Sequence, residues 1–518
     1  MYRSKGTITV FLSLVSVLFL SLFCTMAESA RVQAARFQAA AAFDMGLFSV
    51  FGEYDRVLLE EYDLWFLDCS DRSETKLKEV LETKLQNYMI PNITPQNDLD
   101  TGRSFHVFST EITACDVDKY ALATDQGGQV FYMQAVQNQK ELFVGEAAAA
   151  LKKNLKKIES DDAKGKQYEQ AEKAADETYQ KAEMQQKEAD QKEAEANQKE
   201  SEVSTIPEEK HAENPLDQIK KIKKMGILSL VMKDASKISD KKLSRKNLPS
   251  ERTLQRGSMV VKEGISGVAS EAIFLKYVGE YFKCAVEKEN TKGKGSKKHA
   301  LSYELEYIIG GKKSDAENLK KAVNRILLIR EGANYMHIAG DAEMQNEARA
   351  LAAAIAGVTA VPALTEALQK LLILAWAYGE SLLDVRTLLA GGAVPAVKTS
   401  SEWKLSLSQL GNLNEVLKQC DDGGGEGQSY HDYLLGIIAL TGKQKVNLRA
   451  LDIIEENRRM ETGGEQFCAD ALVAQAHANA EFELAPVFLK VPAVWMASEN
   501  QGTSYKISGQ YGYMEGGA

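Results

Sequence analysis

The sequence predicts an α+β fold. An N-terminal transmembrane helix continues into a long stem helix, followed by a small antiparallel sheet region, a large helical insertion and C-terminal strands. Three observations carry this. Gly6 to Ala27 contains no charged residue, and about twenty helical residues rising ~1.5 Å each span a ~30 Å hydrocarbon core. β-branched and aromatic residues alternate in part near Ser104–Val136 and again after Ala471. Between them, Leu319, Val323, Ile326 and Leu327 recur at the i, i+3, i+4 spacing of a buried helix face.

The chain of 518 residues is long enough for about three folding units at ~150 residues each. Its 44% hydrophobic and 26% charged residues support a sizeable core. The 73 acidic against 63 basic residues, a net charge of −10, argue against a nucleic-acid binder dominated by phosphate contacts, though local basic runs occur. Six scattered cysteines, with no C-x-x-C pair, are too few for a disulfide scaffold or a zinc ribbon, and no metal or cofactor is expected.

The apolar run admits three fates: a cleaved secretory signal, a retained anchor, or a prepilin-type segment cut on its cytoplasmic side. It is longer than the ~7–15 apolar residues of a secretory signal, and its small-x-small site would be Thr25-Met26-Ala27. Phe23 before Cys24 argues against a lipoprotein site. Arg3 and Lys5 precede the run and favour a cytoplasmic tail with the rest exported; Arg31 and Arg36 weaken that asymmetry without reversing it. Beyond Ala27 no Gly or Pro occurs until Gly46, so the helix continues as a stem. Val32, Ala35, Ala39 and Phe43 on one face pack either on the chain's own domain or beside other stems.

The stretch KGTITVFLSLVSVLFLSLFCTMAESARVQAARFQAAAAFDMGLFSVFGEYDRVLLEEYDLWFLD resembles the N-terminal region of TadE/TadG-like proteins of tight-adherence (Flp-type) pilus systems, in a long uncharacterised Gram-positive branch. Leu301–Ile338 and Leu351–Lys398 extend the resemblance. It implies a non-enzymatic, membrane-anchored, pilus-associated protein, a minor pilin or assembly factor. Its partners would be the lipid bilayer and pilus subunits or other assembly proteins. It also implies Gly6 as the last residue of a short leader and Thr7 as the new N-terminus. Five residues after that cut, where prepilins generally carry glutamate, stands Phe11; the nearest acid is Glu28, which with Arg31 marks the outer membrane boundary. The rival classes are a membrane-anchored cell-envelope enzyme and a secreted binding protein.

The layout expected is a tail or leader over 1–6, the span over 7–27, the stem over 28–51, an α+β exported region over 52–140, a charged helical or flexible spacer over 141–300, a helical region over 301–460 and strands over 461–518. Ser73 caps a helix with Pro91 just beyond its end. Ser104–Cys115 and Gln129–Val136 read as strands joined by a turn near Gly127-Gly128. From Ala147 to Asn214 large apolar side chains almost vanish, so a solvated helical spacer or disordered arm is expected, with Tyr168, Ala171, Ala175 and Ala182 a broken stripe. Ile219, Ile222, Met225, Leu228 and Val231 form an amphipathic face, on a surface helix or toward anionic lipid. Asp315–Ile338 and Asp341–Leu389 read as long helices. A terminal hairpin, with Tyr505, Ile507, Tyr511 and Tyr513 on one face, completes the sheet begun near Ser104 and makes the middle an insertion.

No H-E-x-x-H, G-x-S-x-G or G-x-x-x-x-G-K-[ST] motif occurs, and His106, His211, His299, His337, His431 and His477 lack ligand spacing. Gly310-Gly311 reads as a turn before a helix capped by Ser314 or Asp315. Asp421, Asp422 and Glu426 lack EF-hand spacing; Asp68, Asp71 and Glu74, and the basic loop Lys292–His299, read as solvated charge. No catalytic residue is named.

Overall fold

The computed structural model describes residues 5–70, 77–93, 108, 110–139, 146–197, 214–243, 247–260, 268–286, 299–357, 360–420, 425–488 and 503–514. In chain order its elements are α1 (Lys5–Phe51), α2 (Arg56–Tyr62), β1 (Leu67–Asp68), α3 (Leu77–Ile93), β2 (Thr110–Leu122), α4 (Asp125–Gln139), α5 (Glu146–Asn197), α6 (Leu216–Lys223), α7 (Ile227–Val231) and α8 (Val268–Tyr281). There follow α9 (Glu304–Gly310), α10 (Asp315–Gly340), α11 (Ala342–Ala356), α12 (Pro362–Leu389), β3 (Ala393–Val394), α13 (Leu413–Gln419), β4 (Gln428–Ser429), α14 (Tyr430–Ala439), α15 (Lys443–Arg459), β5 (Leu472–Leu484) and β6 (Thr503–Gly512). The fold is α+β, and the chain divides into two units. The first is assembled from 1–135, 252–265 and 458–518, the second from 136–251 and 266–457.

In the first unit β5 is central. It pairs antiparallel with β2 on one side and with β6 and β1 on the other, in registers that include Thr110↔Leu484, Leu122↔Val473 and Leu484↔Thr503. The C-terminal hairpin thus joins the sheet begun by the N-terminal part. Ala476, Ala478, Ala480 and Phe482 alternate along one face of β5 and meet Ala39, Ala42, Phe43 and Leu47 of α1 in one core. Alanines on both surfaces let helix and sheet approach closely. Phe482 and Tyr505 stack across β5 and β6 with centroids 5.7 Å apart. Leu77, Leu81, Leu85, Met89 and Ile93 give α3 a buried stripe against α1. At Gly46 a Cβ would stand 2.9 Å from Met89 Cγ, so the glycine permits this approach. Ala35, Ala39 and Phe43 therefore pack on the chain's own domain.

Several local expectations change. Pro91 lies inside the last turns of α3, where its missing N–H costs one helical hydrogen bond; Ser73 falls outside the described residues. The turn at Gly127-Gly128 is present, with Gln126, Gly127 and Gly128 at φ 54°, 71° and 79°, but Gln129–Val136 is helix, not strand. Its β-branched and aromatic side chains fill a core, and Gln134 exchanges hydrogen bonds with the Trp65 backbone. The returning segment 252–260 also belongs here: Met259 N–H donates to Tyr120 O at 3.0 Å, and Arg252 pairs with Asp470.

In the second unit α10 and α12 pack together, and α5 lies against both. The charged α5 is a helix, as its composition favours, but it is not merely solvated. Ile158, Asp161, Gly165, Tyr168, Ala175 and Ala182 form a buried stripe, and the Tyr168 hydroxyl donates to Leu374 O at 3.1 Å. Ile158 and Tyr168 supply the bulk of this face, and Gly165, Ala175 and Ala182 complete it with small side chains. α6 and α7 bury Ile219, Ile222 and Val231, leaving Met225 exposed, so that apolar face serves the fold. The run Asp341–Leu389 is two helices: α11 ends at Gly357, φ +85°, and α12 starts with Pro362. Ser314 caps α10 by accepting from Glu317 N–H, and Gly311 closes α9 in the left-handed region.

Candidate functional site

The apolar run and its base form the candidate site, in the first unit. α1 is long and apolar enough to cross a membrane, by length and composition. Over its first half it presents apolar side chains on every face: Ile8 is 64% exposed and Phe23 68%. The hydroxyls of Thr9, Ser13, Ser21 and Thr25 donate back to the carbonyls of Gly6, Val10, Leu18 and Leu22 at 2.8–2.9 Å. These four hydroxyls are thereby satisfied within the helix, as hydrocarbon requires.

Exposure changes at Glu28. Its carboxylate and the Arg31 guanidinium are both buried and form an ion pair, with Arg31 Nε to Glu28 Oε1 at 3.1 Å. The i, i+3 spacing places both on one helix face. Arg31 Nη2 also donates to Ala485 O at 2.5 Å, while Glu28 Oε2 accepts from Phe488 N–H at 2.8 Å and Val487 N–H at 3.3 Å. Burial raises the Glu28 pKa, but the Arg31 hydrogen bond and the two amides outweigh it and hold the carboxyl below its ordinary value. The pair ties the C-terminal side of β5 to the helix where the exposed apolar half ends.

The other predicted residues stand apart. Gly6 and Thr7 are exposed in the first turns of α1, where a Cβ on Gly6 would meet nothing within 4 Å. Phe11 is 68% exposed, and seventeen residues at ~1.5 Å separate it from Glu28 by about 26 Å along the axis. Glu28 and Arg31 are brought together; Gly6, Thr7 and Phe11 share only the helix. The partners Ala485, Val487 and Phe488 had no signal in the sequence, because backbone groups donate and accept there.

His299 Nδ1 lies 2.8 Å from Glu304 Oε1, so it is a paired residue rather than part of a solvated loop. His477 Nδ1 pairs with Asp118 at 2.5 Å, His431 Nε2 contacts Gly279 O at 3.0 Å, and His337 stacks on Trp403. His106, His211, Asp71, Glu74, Asp421, Asp422, Lys292, Lys294, Lys297 and Lys298 lie outside the described residues. Among the described residues no group of three His, Cys, Asp or Glu is arranged to hold a metal ion.

Sequence reasoning missed a polar centre inside the second unit. Arg330 and Glu380 are 0% exposed, Asp384 1% and Lys398 4%. Arg330 Nε donates to Asp384 Oδ2 at 2.9 Å, and Lys398 Nζ pairs with Asp384 Oδ1 at 2.5 Å and with Glu380. Arg330 Nη1 reaches the carbonyls of Pro395 and Ala396 and the Tyr433 hydroxyl; Glu380 accepts from Leu405 N–H at 2.8 Å. Burial raises Asp384, but Arg330 and Lys398 outweigh it and lower its pKa. For Glu380 burial prevails and the pKa is raised. The balanced charges hold the 395–405 segment on α10 and α12. The residues were visible singly, but their pairing joins positions far apart in sequence.

A model described as a family of unknown function, DUF5702, matches residues 206–484, more than half of the chain. No curated protein and no solved structure matches the chain.

Proposed function

The chain belongs to the DUF5702 family, whose function is unknown; we propose, from its N-terminal helix, that it is a non-enzymatic, membrane-anchored, pilus-associated protein of TadE/TadG-like type. Its N-terminus lies in the cytoplasm, and the chain beyond Ala27 is extracytoplasmic. The observation that carries this reading is the exposure change along α1: apolar and exposed from Ile8 to Met26, ion-paired at Glu28 and Arg31, then packed on its own sheet from Ala35. Such a helix anchors the first unit rigidly to a bilayer or to neighbouring apolar helices. Arg3 and Lys5 before the run favour the stated orientation.

Within this class an anchored assembly factor is favoured over a fibre subunit. A carboxylate in an apolar bundle is tolerated when a neighbouring subunit's amine partners it. Here Phe11 supplies no carboxylate, and Glu28 is neutralised by Arg31 of its own chain. The test is the N-terminal residue of the natural protein in membrane and sheared-surface fractions. Met1 confined to membranes supports the assembly factor. Thr7 in the sheared fraction makes it a fibre component, and a start near Glu28 in the medium removes the anchor and overturns the proposal.

A further inference from the structure

The second unit contains a cavity of ≈ 530 Å³ where α5, α9, α10 and α14 meet, within the ~300–1,000 Å³ typical of small-ligand sites. Ile309, Leu328, Ile437 and Leu440 supply apolar wall, and Glu169, Glu172 and Glu331 supply carboxyls. Lys321 and Arg325 also line it, but both are engaged: Arg325 Nη2 pairs with Asp162 at 2.5 Å, and Lys321 Nζ donates to Gly310 O at 3.1 Å. Glu172 is paired with Lys223. Glu331 is different. It is 8% exposed, faces the cavity and makes no hydrogen bond to any described residue. A buried carboxyl without a partner costs stability, so the unspent buried polar capacity of the cavity is acidic, the exposed Asn324 amide lying at its rim. Methylene-sized apolar wall beside one desolvated acid defines the complementary ligand.

We propose that this cavity binds an alkyl primary ammonium group, its chain against Leu328 and Leu440 and its ammonium donating to Glu331, with Glu169 at the rim. A free aliphatic amine and a lysine side chain share this chemistry.

The charges around Glu331 set the pH response. Burial, the largest influence, pushes its pKa up to about 8; Lys223 of α6 lowers it, while Glu172 and Glu169 of α5 raise it further. Lys321 and Arg325 share its helix, and Tyr378 of α12, itself raised by burial and by Glu331, stays a neutral phenol. At pH 7 the empty cavity therefore holds a protonated Glu331. Binding of an ammonium ion stabilises the carboxylate, and the carboxyl proton passes to the buffer. Affinity should rise about tenfold per pH unit below 8 and level off above it.

The experiment is calorimetric titration of the full chain in detergent with cadaverine and, separately, with Nα-acetyl-lysine amide, each in MOPS and in cacodylate at pH 7. The expected result is binding with release of close to one proton per ligand, weakened at least tenfold and stripped of proton release in Glu331→Gln. Cadaverine alone binding identifies a free-amine site; binding of both admits a lysine side chain. Absence of binding at millimolar amine, binding without proton release, or affinity unchanged in Glu331→Gln overturns the proposal, as does inorganic phosphate entering through Lys321 and Arg325 in place of amine. Should Glu331→Gln fail to fold, Leu440→Trp decides. Leu440 is 40% exposed, so the indole should fill the cavity and abolish amine binding without lowering Tm; retained binding in that variant sinks the assignment.

Discussion

Gly332 of α10 faces Gly165 of α5 so closely that a Cβ on Gly332 would stand 2.2 Å from the Gly165 amide nitrogen. Glycine in a helix interior ordinarily costs about 1 kcal/mol relative to alanine, so Gly332→Ala would stabilise an isolated helix. Here the added methyl forces α5 from α10, and overpacking costs about 1–3 kcal/mol. The expected outcome is a lower urea midpoint for Gly332→Ala. Gly340→Ala, where a Cβ would meet nothing within 4 Å, should be neutral or slightly stabilising.

Removing Asp384 leaves Arg330 and Lys398 facing each other without their shared carboxylate. Asp384→Ala should cost about 3–5 kcal/mol, the range for breaking a buried ion pair by removing one partner, read from denaturant unfolding. The sign with pH follows from the lowered Asp384 pKa. Its contribution is present above the unfolded-state value and is lost as pH falls through the folded-state value. Acid unfolding of the native chain should be correspondingly steep.

Glu306 gives the opposite slope. It is 0% exposed, and its Oε1 accepts from Ala285 N–H at 2.9 Å and Tyr430 OH at 2.8 Å, while Oε2 has no partner among the described residues. Burial pushes its pKa up from 4.5 to about 7. Between those values the unfolded chain ionises first, so stability falls with rising pH by up to about 1.4 kcal/mol per unit. Glu306→Gln keeps the Oε1 acceptor and removes the titration. Its urea midpoint should fall less steeply with pH, Glu331 still contributing, and exceed the native value near neutral pH.

Arg31→Ala should free the strand end that the helix base holds. Loss of the guanidinium leaves Ala485 O and Glu28 short of a donor, at a cost of about 1–3 kcal/mol locally. Hydrogen exchange in detergent should quicken at the Val487 and Phe488 amides, which donate to Glu28. Phe11→Ala, on the exposed apolar half, should leave those amides unchanged.

The sequence alone determined whatever depends on local composition and period. The uncharged run from Gly6 to Ala27, uninterrupted by Gly or Pro as far as Met45, dictates one long apolar helix through short-range hydrogen bonding alone. Glu28 and Arg31, one turn apart, were recognisable as the end of the uncharged run, and the alternation around Tyr505 and Ile507 announced a strand. Tertiary structure decided what depends on proximity. Gln129–Val136 has strand-like residues, yet it is helix because its side chains fill a core. α5 has few large apolar residues, yet it packs because Ile158 and Tyr168 are fully buried and Gly165 lets the backbone of α10 approach. The clasp of Arg31 on Ala485 and the pairing of Arg330 with Asp384 join residues separated by 454 and 54 positions. Periodicity reports which face of an element is apolar; only the folded chain decides what that face meets, because burial energy depends on the neighbour as much as on the residue.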